Sequence, residues 1–281
     1  MPQDKYSAVW VSHSSIGDFL KCKRAYFLHN VYKDPKTGHK ITIVNPSLSL
    51  GQAVHTTLER LKNIPVEERV LRDLQKDFEK DWQKVSGKIG GFKNTEEEME
   101  MKNRGEKMIE RVMKNLGPIG RKTVRIKENE SGMPPNFYLS EEENIILCGL
   151  IDWLEYIRED DSVRIVDFKT GKHDENEDSL QLPIYLLLLE ALQKRQVSGA
   201  SYWYLDKDDE PIPMTLPDVN EARERVLEVA IRIKETREKK DYVCSKGEKG
   251  CFACKPYEAI LKGEAEYLGV GGYGQDMYSI S

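Results

Sequence analysis

Two short stretches decide the reading of this chain: Gly149-Leu150-Ile151-Asp152, and Val163-Arg164-Ile165-Val166-Asp167-Phe168-Lys169. Each is an apolar run carrying an aspartate, and the polar turn Glu159-Asp160-Asp161-Ser162 lies between them. Such a pattern predicts adjacent strands. Residues two apart on a strand share a face, so Asp167 and Lys169 project together and the partner strand can bring Asp152 alongside. Two carboxylates meeting at a strand end make a seat for Mg²⁺ or Mn²⁺, which prefer hard oxygen ligands. The neighbouring lysine can then polarise an attacking water or stabilise charge on a phosphate. The bland alternative is a pair of turn aspartates and a surface lysine. It is weakened by Asp167 itself, which interrupts an apolar run where an unpaired carboxylate is costly.

Downstream, residues 179–194 read as a helix, 199–205 as a strand and 218–239 as a long charged helix. Gln181 and Tyr185, four apart, share one side of a helix otherwise made of Leu, Ile and Pro. They are either a polar pair aimed at the site or a nucleotide, or a boundary Gln and a core Tyr whose hydroxyl reaches solvent. Upstream, 123–126, 137–140 and 144–157 read as strands. Helices are expected near residue 14 and over 47–62, and two or three charged ones fill 66–116, interrupted by glycines at 87–91. His55 sits on the 47–62 helix, four residues before Glu59 on the same face. A lone histidine there is more often structural, but its imidazole can complete a metal site with the two aspartates. Residues 268–281, rich in Gly, Ser and Tyr, are expected to form a loosely held tail.

The net charge of −5 argues against nucleic-acid binding by bulk electrostatics alone. Residues 102–127 nevertheless hold nine Lys or Arg against two Glu. That segment reads first as a solvated helix face and second as a lining for a phosphate backbone. The richest apolar run, 180–192, is too short to cross a bilayer and contains Gln181 and Glu190. The first eleven residues show no signal-peptide pattern, so a soluble, cytoplasmic protein is expected.

Five cysteines in such a compartment are not expected to pair as disulfides. Cys148 lies within an apolar strand-like run. Cys244, Cys251 and Cys254 fall close together in a Gly- and Lys-rich loop that can wrap a metal, and Cys22 is the candidate for a fourth ligand. Four thiolates suit Zn²⁺ or an iron–sulfur cluster, and spacing does not separate the two.

Together these residues resemble the RecB-like branch of the PD-(D/E)XK nucleases, which includes the CRISPR-associated RecB-type exonucleases and the AddB nuclease domain. Ser12-His-Ser-Ser-Ile with Cys22-Lys-Arg-Ala-Tyr-Phe-Leu looks like the N-terminal helix and first cluster cysteine. Gly51 to His55 looks like the G-x-x-x-H motif, and Gly149–Asp152 and Val166–Lys172 like the two core motifs. Gln181-x-x-x-Tyr185 looks like the Q-x-x-x-Y motif, and Cys251-x-x-Cys254 with Pro256-Tyr257 like the C-terminal cysteine box. A further family cysteine is absent, with Ala259 and Ile260 in that region, and Cys244 stands as its substitute.

The resemblance implies a restriction-endonuclease-like α/β core, with a central mixed sheet flanked by helices. It also implies that His55, Asp152, Asp167 and the Phe168 carbonyl hold Mg²⁺ or Mn²⁺. Asp152, Asp167 and Lys169 would be catalytic, with Gln181 and Tyr185 positioning DNA or the lysine. Cys22, Cys244, Cys251 and Cys254 would hold a [4Fe–4S] cluster that pins the chain ends together, with Zn²⁺ as the alternative. The expected activity is DNA cleavage, on single strands or at ends, with CRISPR-adaptation or repair proteins as partners. A rival is a catalytically inactive DNA-binding or assembly subunit. The expected divisions are 1–62 (N-terminal helices), 63–118 (helical insertion), 119–215 (nuclease core), 216–267 (C-terminal helix and cysteines) and the tail, 268–281.

Overall fold

Alternation along residues 162–169 sorts side chains onto two cores. Ile165 joins one apolar cluster, while Val166 and Phe168 join another. A strand with both faces buried reads as a continuous apolar run, because helices cover it above and below. The computed structural model describes residues 5–126 and 133–280.

The chain opens with strand β1 (Val9–Val11), helices α1 (His13–Lys21) and α2 (Lys23–Tyr26), and β2 (Ile41–Ile43). Helices α3 (Pro46–Glu59), α4 (Val66–Arg69), α5 (Leu74–Trp82) and α6 (Thr95–Lys114) follow. Then come β3 (Asn136–Ser140), β4 (Ile145–Cys148), β5 (Trp153–Ile157) and β6 (Ser162–Lys169). Helix α7 (Gln181–Leu192) leads to β7 (Val197–Tyr204), β8 (Ile212–Met214) and α8 (Val219–Lys239). The last elements are α9 (Lys255–Lys262), β9 (Glu266–Val270) and β10 (Asp276–Ser279).

The central sheet has the order β5-β6-β7-β8. β5 and β6 form an antiparallel hairpin, with Asp161 left-handed (φ 52°) in its turn, and β6 pairs parallel with β7 across the α7 crossover. On one side, Trp153, Val166, Phe168 and Trp203 pack with residues of α3, α5 and α6, including Val54, Phe78 and Met108. On the other, Leu154, Ile165 and Tyr202 pack with α7 and α8. Lying between the sheet and α8, α7 is buried at every position from Gln181 to Leu189, which is why it lacks a polar stripe. This is a mixed α/β fold, a central sheet between helical layers, consistent with the restriction-endonuclease-like core expected.

Local signals start the helices. Ser12 and Ser15 form a reciprocal capping box at α1, and Asn45 caps α3 with Pro46 in its first turn. Charged α6 keeps one stripe apolar, burying Gly105, Met108, Ile109 and Val112.

Several expectations are corrected. The single strand over 144–157 is two strands in different sheets. β4 pairs with β1 and β3, and the chain leaves the ladder over 149–152 before β5 begins. The stretch 123–126 is no strand; it touches β5 through one bridge, Thr123 to Glu155. The segment expected as a loose tail carries β9 and β10, and β10 pairs parallel with β2. Buried Asp276 fastens it, accepting a 2.6 Å hydrogen bond from Thr37 Oγ1 and standing 3.0 Å from His39 Nδ1. Lys127, the end of the basic segment, and Ser281, the end of the tail, lie outside the described residues. Among the described residues, no helix is long and apolar enough to cross a membrane.

Candidate active site and cysteine centre

Asp152 lies in the break between β4 and β5. One residue before β5, its Oδ2 turns to accept the Phe168 N–H at 2.8 Å. That contact ties the second aspartate's strand to the first. Helix α3 approaches from the other side. A Cβ on Gly51 would meet Thr170 Oγ1 at 3.2 Å, so the absence of a side chain there lets α3 pack against the end of β6.

From α3, His55 Nδ1 lies 3.4 Å from Asp152 Oδ2 and 3.5 Å from Glu59 Oε1. Candidate ligand atoms of His55, Glu59 and Asp152 all fall within 4.8 Å of one another. Burial works to lower the His55 pKa, but the Asp152 and Glu59 carboxylates outweigh it and hold it at about 10. Burial works against the Asp152 carboxylate, yet His55, the Phe168 N–H and Lys62 keep its pKa below the ordinary value. The three groups thus form a pocket that favours positive charge, and two carboxylates with one imidazole suit Mn²⁺ or Mg²⁺.

Asp167, 2% exposed, stands outside that trio. Its Oδ1 accepts from Gln181 Nε2 at 2.9 Å and Tyr185 Oη at 3.2 Å. Its Oδ2 forms an ion pair with Lys169 Nζ at 2.9 Å. Burial, and then the Asp152 charge, push the Asp167 carboxyl up to about 7. A buried carboxylate beside a second carboxylate is an arrangement that a divalent cation relieves.

Lys169 is gripped from three sides. Its ammonium faces Asp167, donates to Glu175 Oε2 at 2.8 Å and makes a short bond to Gln181 Oε1. It also lies 4.6 Å from the centre of the Tyr202 ring. Burial would lower its pKa, but Asp167 and Glu175 raise it above the ordinary value, so the lysine stays charged.

Residues 10–259 match the PD-(D/E)XK nuclease superfamily. The chain belongs to that superfamily. No curated protein matches it. Membership carries a nuclease domain, a nucleic-acid substrate and use of divalent metal. The expected residues Asp152, Asp167, Lys169, Gln181, Tyr185 and His55 all converge, with the Phe168 main chain between the two aspartates.

Two neighbours were not singled out by the sequence reading. Glu59, noted only as the helical mate of His55, joins the metal trio. Glu175, on the loop after β6, holds Lys169, and a loop has no periodicity to reveal it. His13 is also near. Burial lowers its pKa, with Glu175 and Lys169 acting on it in opposite directions.

The second centre of this nuclease-superfamily chain lies where its ends meet. Cys22, between α1 and α2, joins Cys244, Cys251 and Cys254, with candidate sulfurs all within 4.8 Å of one another. The loop tightens around them. The Cys251 N–H points at Cys254 Sγ (3.2 Å), and a Cβ on left-handed Gly250 would lie 3.2 Å from the same sulfur. Lys23–Asp241 (2.7 Å) and Arg24–Glu258 (2.6 Å) ion pairs clamp the same two chain segments. Burial raises the Cys254 thiol to about 12. At Cys251 burial is outweighed by the Cys254 and Ala253 N–H groups, which bring that thiol down to about 7. Four thiols gathered this closely are a donor set for a thiophilic metal. Cys148 stands apart on β4, with its thiol directed to the Val11 carbonyl.

Proposed function

We propose that this chain is a metal-dependent deoxyribonuclease, an exonuclease acting on single-stranded DNA or DNA ends. The observation that carries the reading is Asp167. Its Oδ1 is fixed by Gln181 and Tyr185, its Oδ2 faces the Lys169 ammonium at 2.9 Å, and the charge of nearby Asp152 acts against its ionisation. Two buried carboxylates brought close together repel one another, and a divalent cation relieves that repulsion.

The roles follow from the contacts. Asp152, Asp167, His55 and Glu59 are the side chains that would hold Mg²⁺ or Mn²⁺, with the Phe168 main-chain carbonyl as a further ligand. When bound, the ion supplies positive charge that makes a water acidic and offsets the charge of the scissile phosphate. The Phe168 N–H holds Asp152 in place, and Gln181 with Tyr185 holds Asp167. Lys169, kept charged by its acidic neighbours, stabilises negative charge growing on the phosphate. Burial of Asp152, Asp167, Gln181 and Tyr185 strengthens these electrostatic effects, because little water screens them.

For the cysteine centre we infer a structural [4Fe–4S] cluster that fastens α1 and α2 to the C-terminal segment. One observation favours a second filling, Zn²⁺. The Cys251 and Cys254 sulfurs lie 3.8 Å apart. That equals the edge of a tetrahedron with Zn–S bonds of about 2.3 Å. Brown protein with iron and sulfide after anaerobic purification supports the cluster; colourless protein with one zinc per chain supports the single ion.

The nuclease reading is tested on labelled single- and double-stranded DNA with Mn²⁺, Mg²⁺ or EDTA, wild type beside Asp167→Ala. Metal-dependent cleavage lost in the variant supports it. Folded, metal-loaded wild type that binds DNA without cutting it points to the inactive binding subunit.

A further inference from the structure

A groove of about 530 Å³ is lined in common by His55, Glu59 and groups outside the catalytic set. Lys62 and Arg125 contribute cations to it, Leu150 an apolar side chain that is 60% exposed, and Tyr273 an aromatic ring. Lys62 is drawn toward the metal trio, donating to Glu59 Oε2 and to the Ile151 carbonyl, both at 3.0 Å. Arg125 donates to the neutral Asn63 side chain at 2.7 Å.

Tyr273 is the unusual member. It stands at the tip of the β9–β10 hairpin, in Gly271-Gly272-Tyr273-Gly274, and is 88% exposed. The tip is a closed turn, with the Gly274 N–H donating to the Gly271 carbonyl (2.9 Å) and the Gly271 N–H to that of Gln275 (2.8 Å). Its base is anchored through β10 to β2 and through Asp276 to Thr37. A large ring is therefore presented to solvent on a fastened support, in the groove that His55 also lines.

We propose that this groove takes a single strand of DNA and that Tyr273 is a stacking platform for one of its bases. The chemistry matches that occupant. Unpaired bases expose faces that stack on aromatic rings, while the accompanying phosphates are attracted to Lys and Arg. A duplex keeps its base faces covered and offers the ring a partner only at an end. The inference rests on the nuclease reading for its substrate, and it assigns Tyr273 to binding rather than to chemistry.

The test uses the full chain, with divalent metal withheld for binding and supplied for cleavage. Binding of a fluorescent single-stranded oligonucleotide is followed by anisotropy in EDTA at fixed salt, and cleavage in Mn²⁺, for wild type, Tyr273→Ala and Tyr273→Trp. The expected result is roughly ten-fold weaker binding by Tyr273→Ala. Tyr273→Trp should restore affinity, and melting temperatures should be equal because the ring is exposed. Equal affinity of Tyr273→Ala and wild type, or a Trp variant as weak as the Ala one, overturns the platform. These outcomes separate from those of the nuclease reading. Stacking-dependent binding without cleavage by wild type removes the nuclease and keeps the platform, whereas cleavage with unchanged affinity in Tyr273→Ala does the reverse.

Discussion

Gln181 donates from Nε2 to Asp167 Oδ1 at 2.9 Å while its Oε1 accepts from the Lys169 ammonium. One neutral amide thus orients an anion and a cation that stand two residues apart on the same strand. A side-chain amide offers a donor and an acceptor held in one plane.

Replacing that amide separates positioning from chemistry. Gln181→Glu should lower cleavage roughly 10- to 100-fold, because the new carboxylate cannot donate to Asp167 and repels it. The pH–rate profile should shift as well, since the added negative charge raises the Asp167 pKa further. Unchanged rate and profile would remove Gln181 from the site.

Asp167 makes a prediction about stability in the absence of metal. Its folded pKa, about 7, is above the ordinary 3.8, so the native state disfavours its ionised form. The resulting penalty is absent below pH 4, grows as pH rises and is complete above about 7. Asp167→Asn should therefore melt no lower than wild type at pH 8 in EDTA, with any advantage shrinking toward pH 4. Divalent metal should stabilise wild type more than the variant. A variant less stable at pH 8 than at pH 4, relative to wild type, would contradict this.

The cysteine centre should fail as a unit. Metal binding requires deprotonated thiols, and burial works against ionisation at Cys22 and Cys254. Metal content, measured by mass spectrometry after dialysis, should drop with acidification and in Cys254→Ser, and stay whole in Cys148→Ser. Protease should then cut the Cys254→Ser chain between α8 and α9 sooner than wild type.

Asp276 governs the docking of the last hairpin. Burial would raise its pKa, but hydrogen bonds from Thr37 and His39 outweigh that and hold it below 3.8. Its stabilisation is present above pH 3.8 and is lost as pH falls through the lower folded value. Asp276→Ala should cost about 1–3 kcal/mol, since it removes a buried hydrogen-bond acceptor. Hydrogen exchange at Met277 and Tyr278 should speed up first. Protection equal to wild type would show that β2 pairing alone holds the hairpin.

The missed features share a cause. Val9–Val11 and Ile41–Ile43 are three residues long, too short for an alternating pattern to be read. The tail reads as loose because its glycines weaken intrinsic strand preference, and the β9–β10 hairpin is held to the rest of the sheet by a β2 ladder from the other end of the chain. Glu175 sits on a loop, where spacing carries no directional information.

What the sequence determined by itself is local geometry: Asp167 and Lys169 on one strand face, Gln181 and Tyr185 on one helix side, His55 above Glu59. The backbone alone sets those directions, with period 2 on a strand and 3.6 on a helix. Only the tertiary structure decided that Asp152 leaves its strand to meet the Phe168 N–H, that Glu59 joins His55 and Asp152, and that Cys22 reaches Cys244, Cys251 and Cys254. Those meetings depend on packing between distant segments, on which local periodicity carries no information.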